Sequence, residues 1–75
     1  MAKKITVLVP NNPKRPNTAA RDMYARYEDG MTDEEYVRVI HDSAPDRISK
    51  GLPGRADQGR RALLWDLERR FISLG

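Results

Sequence analysis

Arg55, Gln58, Arg60 and Arg61 fall within one short stretch of this 75-residue chain. Arginine offers a two-pronged donor pair that fits the edge of guanine, and the amide of glutamine fits the edge of adenine. Arg69 and Arg70 follow a few residues on and suit phosphate oxygens. Lys14 and Arg15 sit inside a proline-rich stretch, where an extended basic arm can reach into a minor groove. These eight side chains form the candidate nucleic-acid-binding set, with double-stranded DNA as the expected ligand. Neutralising several phosphates would supply much of the affinity and make it salt-sensitive. The competing reading is a solvated surface. In it the arginines pair with Asp57, Asp66 and Glu68, and residues 10–17 form a plain linker with solubilising charges.

Other chemistry is poorly provided for. The chain has no cysteine and one histidine, His41, so neither a thiolate site nor a nucleophile–base set of the usual kind is available. Asp33, Glu34 and Glu35 are adjacent, which is the pattern of a helix start rather than of paired acid and base. Gly51, Gly54 and Gly59 lack the spacing and following lysine of a phosphate loop. The expectation is a non-enzymatic binding module without metal or cofactor.

The length allows one small domain, residues 1–75, whose core must be modest. The net charge of +3 is unevenly spread. Residues 1–30 carry six basic and three acidic side chains, residues 31–46 one and five, and residues 47–75 seven and three. An acidic segment thus lies between two basic ones. The longest apolar run, Ile5 to Val9, is far too short to span a bilayer or act as a secretory signal. A cytoplasmic protein without a membrane partner is expected.

The elements that must position the cations follow from pattern. Lys3 to Val9 is β-branched and stops at Pro10, which predicts a strand with Ile5, Val7 and Val9 on one face and Thr6 and a partly covered Leu8 on the other. Residues 10–17 form a basic, proline-rich loop. From Thr18 to Asp29, Ala20, Met23, Tyr24 and Tyr27 recur at helical spacing, with Asn17 or Thr18 as cap. Gly30 can close that helix, and Thr32 with Glu35 makes a capping box for the next, with Met31 and Tyr36 as a hydrophobic staple. This second helix runs from Asp33 to His41 or Asp42 and buries Tyr36, Val37 and Ile40. Ser43, Pro45 and Asp46 start a short third helix that ends at Gly51 and is anchored by Ile48. The last helix, Arg55 to Arg69 or Arg70, carries a stripe of Leu63, Leu64, Leu67 and Phe71, with Trp65 at its edge and Asp66 on the wet side. Gly59 weakens its first turn. Phe71 to Leu74 reads as a strand that pairs with the N-terminal one. The fold class is α+β: three or four helices spanning 18–70 in a helix-turn-helix-like order, closed by a two-stranded sheet from the two termini.

The run Gly30-Met31-Thr32-Asp33-Glu34-Glu35-Tyr36, followed by Arg60-Arg61-Ala62-Leu63 and by Leu67-Glu68-Arg69-Arg70-Phe71-Ile72, resembles the winged helix-turn-helix domains of small phage and prophage proteins. The likeness covers roughly residues 18–74. It implies a DNA-binding regulator of transcription with Arg60 and Arg61 on the recognition helix. Arg70 stands where that family has a glycine before its wing, residues 43–59 are long for the usual turn, and the N-terminal strand would replace one wing strand. The opening Lys4-Ile5-Thr6-Val7-Leu8-Val9-Pro10 and the residues after it also look like the start of small phage-encoded proteins. A rival expectation follows from the acidic segment. Asp33, Glu34, Glu35 and Asp42 could bind and inhibit a host protein, such as a nucleic-acid-handling defence complex. A homodimer built on exposed parts of Trp65 and Tyr24 is compatible with the first reading.

Overall fold

The computed structural model describes residues 2–75. The order is β1 (Ile5–Val7), α1 (Ala19–Tyr24), α2 (Asp33–Asp42), α3 (Ala44–Ser49), α4 (Gln58–Glu68) and β2 (Ile72–Leu74). The terminal strands pair antiparallel, with Ile5 opposite Leu74 and Val7 opposite Ile72. Four helices over a sheet from the two ends of the chain make the α+β fold expected from pattern.

Hydrophobic spacing explains the centre. Ile5, Met23, Tyr24, Tyr27, Met31, Tyr36, Ile40, Leu63 and Ile72 form one buried cluster. Tyr27 and Tyr36 stack at 4.1 Å between ring centroids, and Tyr24 meets Tyr27 edge-on at 5.1 Å. Burial of tyrosine requires a partner for each hydroxyl. Tyr36 donates to the carbonyl of Met23 at 3.0 Å, and Tyr27 donates to Asp66 at 2.7 Å. The hydroxyl of Tyr27 is therefore held inside the protein.

The start of α2 forms as its residues dictate. Thr32 accepts from the amide of Glu35 while Glu35 accepts from the amide of Thr32, completing the capping box. Met31 and Tyr36, the staple pair, are both buried. The corner before it differs from expectation. α1 ends at Tyr24 rather than Asp29, because the chain beyond it is drawn to the free edge of β1. Ile5 donates to the carbonyl of Met31 at 2.8 Å and accepts from Gly30 at 3.3 Å, and Asp33 donates to Lys3 at 2.9 Å. Gly30 takes φ of 88°, which suits the turn into this pairing. The strand itself is shorter than Lys3 to Val9, and its second face is open: Leu8 is 51% exposed.

Two helices differ from the expected stripes. In α3 the anchor is Arg47, fully buried, while Ile48 is 58% exposed. The guanidinium of Arg47 donates to the hydroxyl of Ser43 and the carbonyl of Ile40, both at 2.6 Å, and to Asp22 at 3.2 Å. The carboxyl of Asp22 is pushed up by burial but held below its ordinary value overall by its hydrogen bonds to Arg26 and Arg47 and by their charges. In α4 the buried face is Gly59, Leu63 and Asp66, so Leu64 points to solvent. Gly59 is there for closeness: a methyl group on it would lie 3.0 Å from Cβ of Ile40 and 3.2 Å from Cα of Val37. α4 thus packs directly on the backbone of α2.

Candidate functional site

The carboxylate of Asp66 organises the side of α4 that faces the proline-rich loop. It is buried, accepts from Tyr27, and lies 2.7 Å from the ammonium of Lys14. Burial pushes the hydroxyls of Tyr27 and Tyr24 above their ordinary range, and the charge of Asp66 pushes in the same direction. Lys14 also stands over the ring of Phe71, 5.2 Å from its centroid. The loop is tied to α1 as well, because Asn12 donates to the carbonyl of Arg21 and Arg21 donates to the carbonyl of Lys14. Residues 10–17 are therefore neither a free arm nor a plain linker. They form a strap bound to two helices, and Lys14 points inward. Arg15 alone of the pair stays exposed.

Strap and helix enclose a groove of about 690 Å³. Six of the eight candidate residues line it: Lys14, Arg15, Arg55, Gln58, Arg61 and Arg69. Arg60 and Arg70 lie outside its lining but are exposed on the same helix and just beyond its end. Folding has thus gathered cations from two distant stretches. Their states differ. Arg61 pairs with Asp57 at 2.8 Å across one helical turn, while both remain open to solvent. Arg69 stacks its guanidinium 4.0 Å from the centre of the Trp65 ring. Gln58 is turned toward the protein, donating to the carbonyl of Pro53 at 3.0 Å, which removes its amide from base reading. Of the arginine partners expected in the surface reading, Asp57 takes Arg61, Asp66 takes Lys14 instead of an arginine, and Glu68 makes no ion pair among the described residues.

The first turn of α4 holds Arg60, which has no carboxylate partner among the described residues. It has no acidic residue, and the side chain of Asp57 at the cap position makes no capping hydrogen bond. Arg60 and Arg61 therefore stand near the positive end of the helix dipole, an arrangement that an anion relieves. At the far end Arg70 takes φ of 60°. Its amide donates to Leu67 and that of Phe71 to Asp66, so Arg70 does occupy the left-handed position where a glycine is usual.

The acidic alternative is largely spent on local structure. Asp33 accepts from the amides of Lys3 and Glu34, and the first of these is the main cause of its lowered pKa. Glu35 belongs to the capping box. Glu34 and Asp42 remain exposed, at opposite ends of α2. For a self-association surface, Trp65 is half exposed but Tyr24 is buried and contributes nothing. Sequence reasoning missed Asp66 and Arg47, whose charge hid their burial. The signal for Asp66 was its spacing from Gly59 and Leu63, which continues one helical face.

Among the described residues no helix is long and apolar enough to cross a membrane, and no group of three or more metal-ligating side chains comes together. No known protein family, curated protein or solved structure matches the chain.

Proposed function

We propose that this protein is a non-enzymatic DNA-binding module of winged-helix type, with the role of a small phage regulator of transcription. The helix α4 presents Arg60 and Arg61 to a duplex, with Arg55 beside its start. Arg15, Arg69 and Arg70 contact flanking phosphates. Lys14 and Gln58 support the surface from within and make no contact with DNA. The observation that carries this reading is the first turn of α4, which has no acid and no side-chain cap and sets the exposed Arg60 against the positive end of its own helix dipole. Arg15 of the strap lies on the same side of the molecule as Arg55, Arg61 and Arg69, which adds to it. The acids of α2 favour the rival, a protein-binding face, less well, because Asp33 and Glu35 are already occupied.

The test is fluorescence anisotropy of a labelled random duplex at low and moderate salt. Binding that weakens steeply with salt is expected. Arg60→Ala with Arg61→Ala should lower the affinity about a hundredfold, since hydrogen bonds to charged groups contribute about 1.5–3 kcal/mol each. The logarithmic salt slope should flatten by about 1.8, and the melting temperature should stay close to that of the parent. Absence of binding at low salt would sink the reading, and so would a collapse of stability in the double variant.

A further inference from the structure

The groove between strap and α4 has a composition that a duplex does not use. Its apolar lining comes from Pro13, Ala20, Met23, Ala62, Trp65 and Phe71. Its rim is cationic. The two carboxylates that reach it, Asp57 and Asp66, are each paired with a cation, Arg61 and Lys14. Arg15, Arg55 and Arg69 have no carboxylate partner among the described residues, which leaves the rim with an excess of positive charge over an apolar floor.

A ligand that satisfies both parts must carry anionic groups at regular intervals and flat apolar faces between them. A duplex shows phosphates and base edges, but its base faces are stacked on one another. An unpaired strand shows both phosphates and faces. The half-exposed ring of Trp65 is already covered by one planar group, the guanidinium of Arg69, and a base stacks on the same kind of surface.

We propose that this groove takes an unpaired nucleic-acid strand, with bases against Trp65 and the apolar floor and phosphates on Arg15, Arg55 and Arg69. The proposal rests on the nucleic-acid reading above and adds to it, at the groove, a strand whose bases are accessible.

Trp65 is the single tryptophan of the chain, so its emission reports on this site alone. The experiment titrates the full chain with a short oligothymidylate and, separately, with the same strand annealed to its complement, at equal low salt. The single strand should quench Trp65 and bind at least about fivefold tighter than the duplex. Trp65→Ala should weaken binding of a labelled oligothymidylate between about fivefold and about a hundredfold, the range for one stacked base. Leu64→Ala removes a neighbouring exposed residue outside the groove and should leave strand binding unchanged. Single-strand binding no tighter than duplex binding, or an unmoved Trp65 emission, overturns the proposal while duplex binding keeps the DNA reading. If neither nucleic acid binds, both fall.

Discussion

α2 and α4 begin in opposite electrostatic senses. The first turn of α2 holds Asp33, Glu34 and Glu35 against the positive end of its dipole, and Thr32 and Glu35 cap it reciprocally. The first turn of α4 holds Arg60 and Arg61, no acid, and no side-chain cap. The ends of α3 and α4 differ in the same way. Both close with the paired backbone bonds of a Schellman motif, but α3 places Gly51 in the left-handed position and α4 places Arg70 there. Each departure in α4 sacrifices local stability and leaves a cation exposed. Native sequences break local rules chiefly where function asks for it. The comparison therefore separates charges that hold the molecule together from charges available to a partner.

If its ends stabilise α4 so little, its buried side must hold it. Asp66 is the central contact there, linking Lys14 of the strap and Tyr27 of the core. Asp66→Ala leaves a largely buried ammonium and a buried hydroxyl without their partner, which should cost about 3–5 kcal/mol. A domain of this size has only roughly 4–11 kcal/mol in total. Chemical denaturation followed by circular dichroism should show the midpoint moved far toward zero denaturant. Adding Lys14→Met should recover part of the loss, because no unpaired charge is then left inside. A loss below about 1 kcal/mol for Asp66→Ala would mean that α4 is anchored elsewhere, and the contrast between its ends and its side would fail.

Much of this arrangement was readable before folding was considered. Thr32 and Glu35 announce their helix because capping depends on neighbours in sequence. Met23, Tyr24, Tyr36 and Ile40 announce a core because their spacing does. The buried ions were not readable. Arg47 meets Asp22, and Asp66 meets Lys14 and Tyr27, across 25 to 52 residues of sequence, and only the packed chain brings those groups together. Ranking by polarity then exchanges Arg47 with Ile48 and Asp66 with Leu64. Gly59 carries a similar lesson. Its low helix propensity was visible, but its purpose lies in Val37 and Ile40 across the helix contact. For the candidate site, the cations themselves were legible by type. The inward turn of Lys14 and Gln58 was not, because it depends on Asp66 and on the carbonyl of Pro53.

The two helix starts can be compared directly. Thr32→Ala removes a made hydrogen bond and half of a capping box, at a cost of about 1 kcal/mol. That should lower the melting temperature by about 4–8 °C, given the size of the domain. Asp57→Ala removes a side chain that makes no capping bond and should change stability by no more than about 0.5 kcal/mol. Equal losses in the two variants would show that Asp57 caps α4 in solution and that the asymmetry does not exist.

The smallest effect concerns the helix ends, and it has the opposite sign. Arg70 holds φ of 60°, where its Cβ crowds the backbone, whereas Gly51 meets no such penalty in the equivalent place on α3. Arg70→Gly relieves that strain but also gives the unfolded chain more freedom to lose. The strain term, at about 1–2 kcal/mol, exceeds the entropy term of about 0.4–1 kcal/mol, so the variant should be more stable by roughly 0.5–1 kcal/mol. A rise of a few degrees in melting temperature, with weaker and less salt-dependent DNA binding, is the expected pair of results. A fall in melting temperature would instead make Arg70 a structural residue, and α4 would no longer differ from α3 in what its terminal position is for.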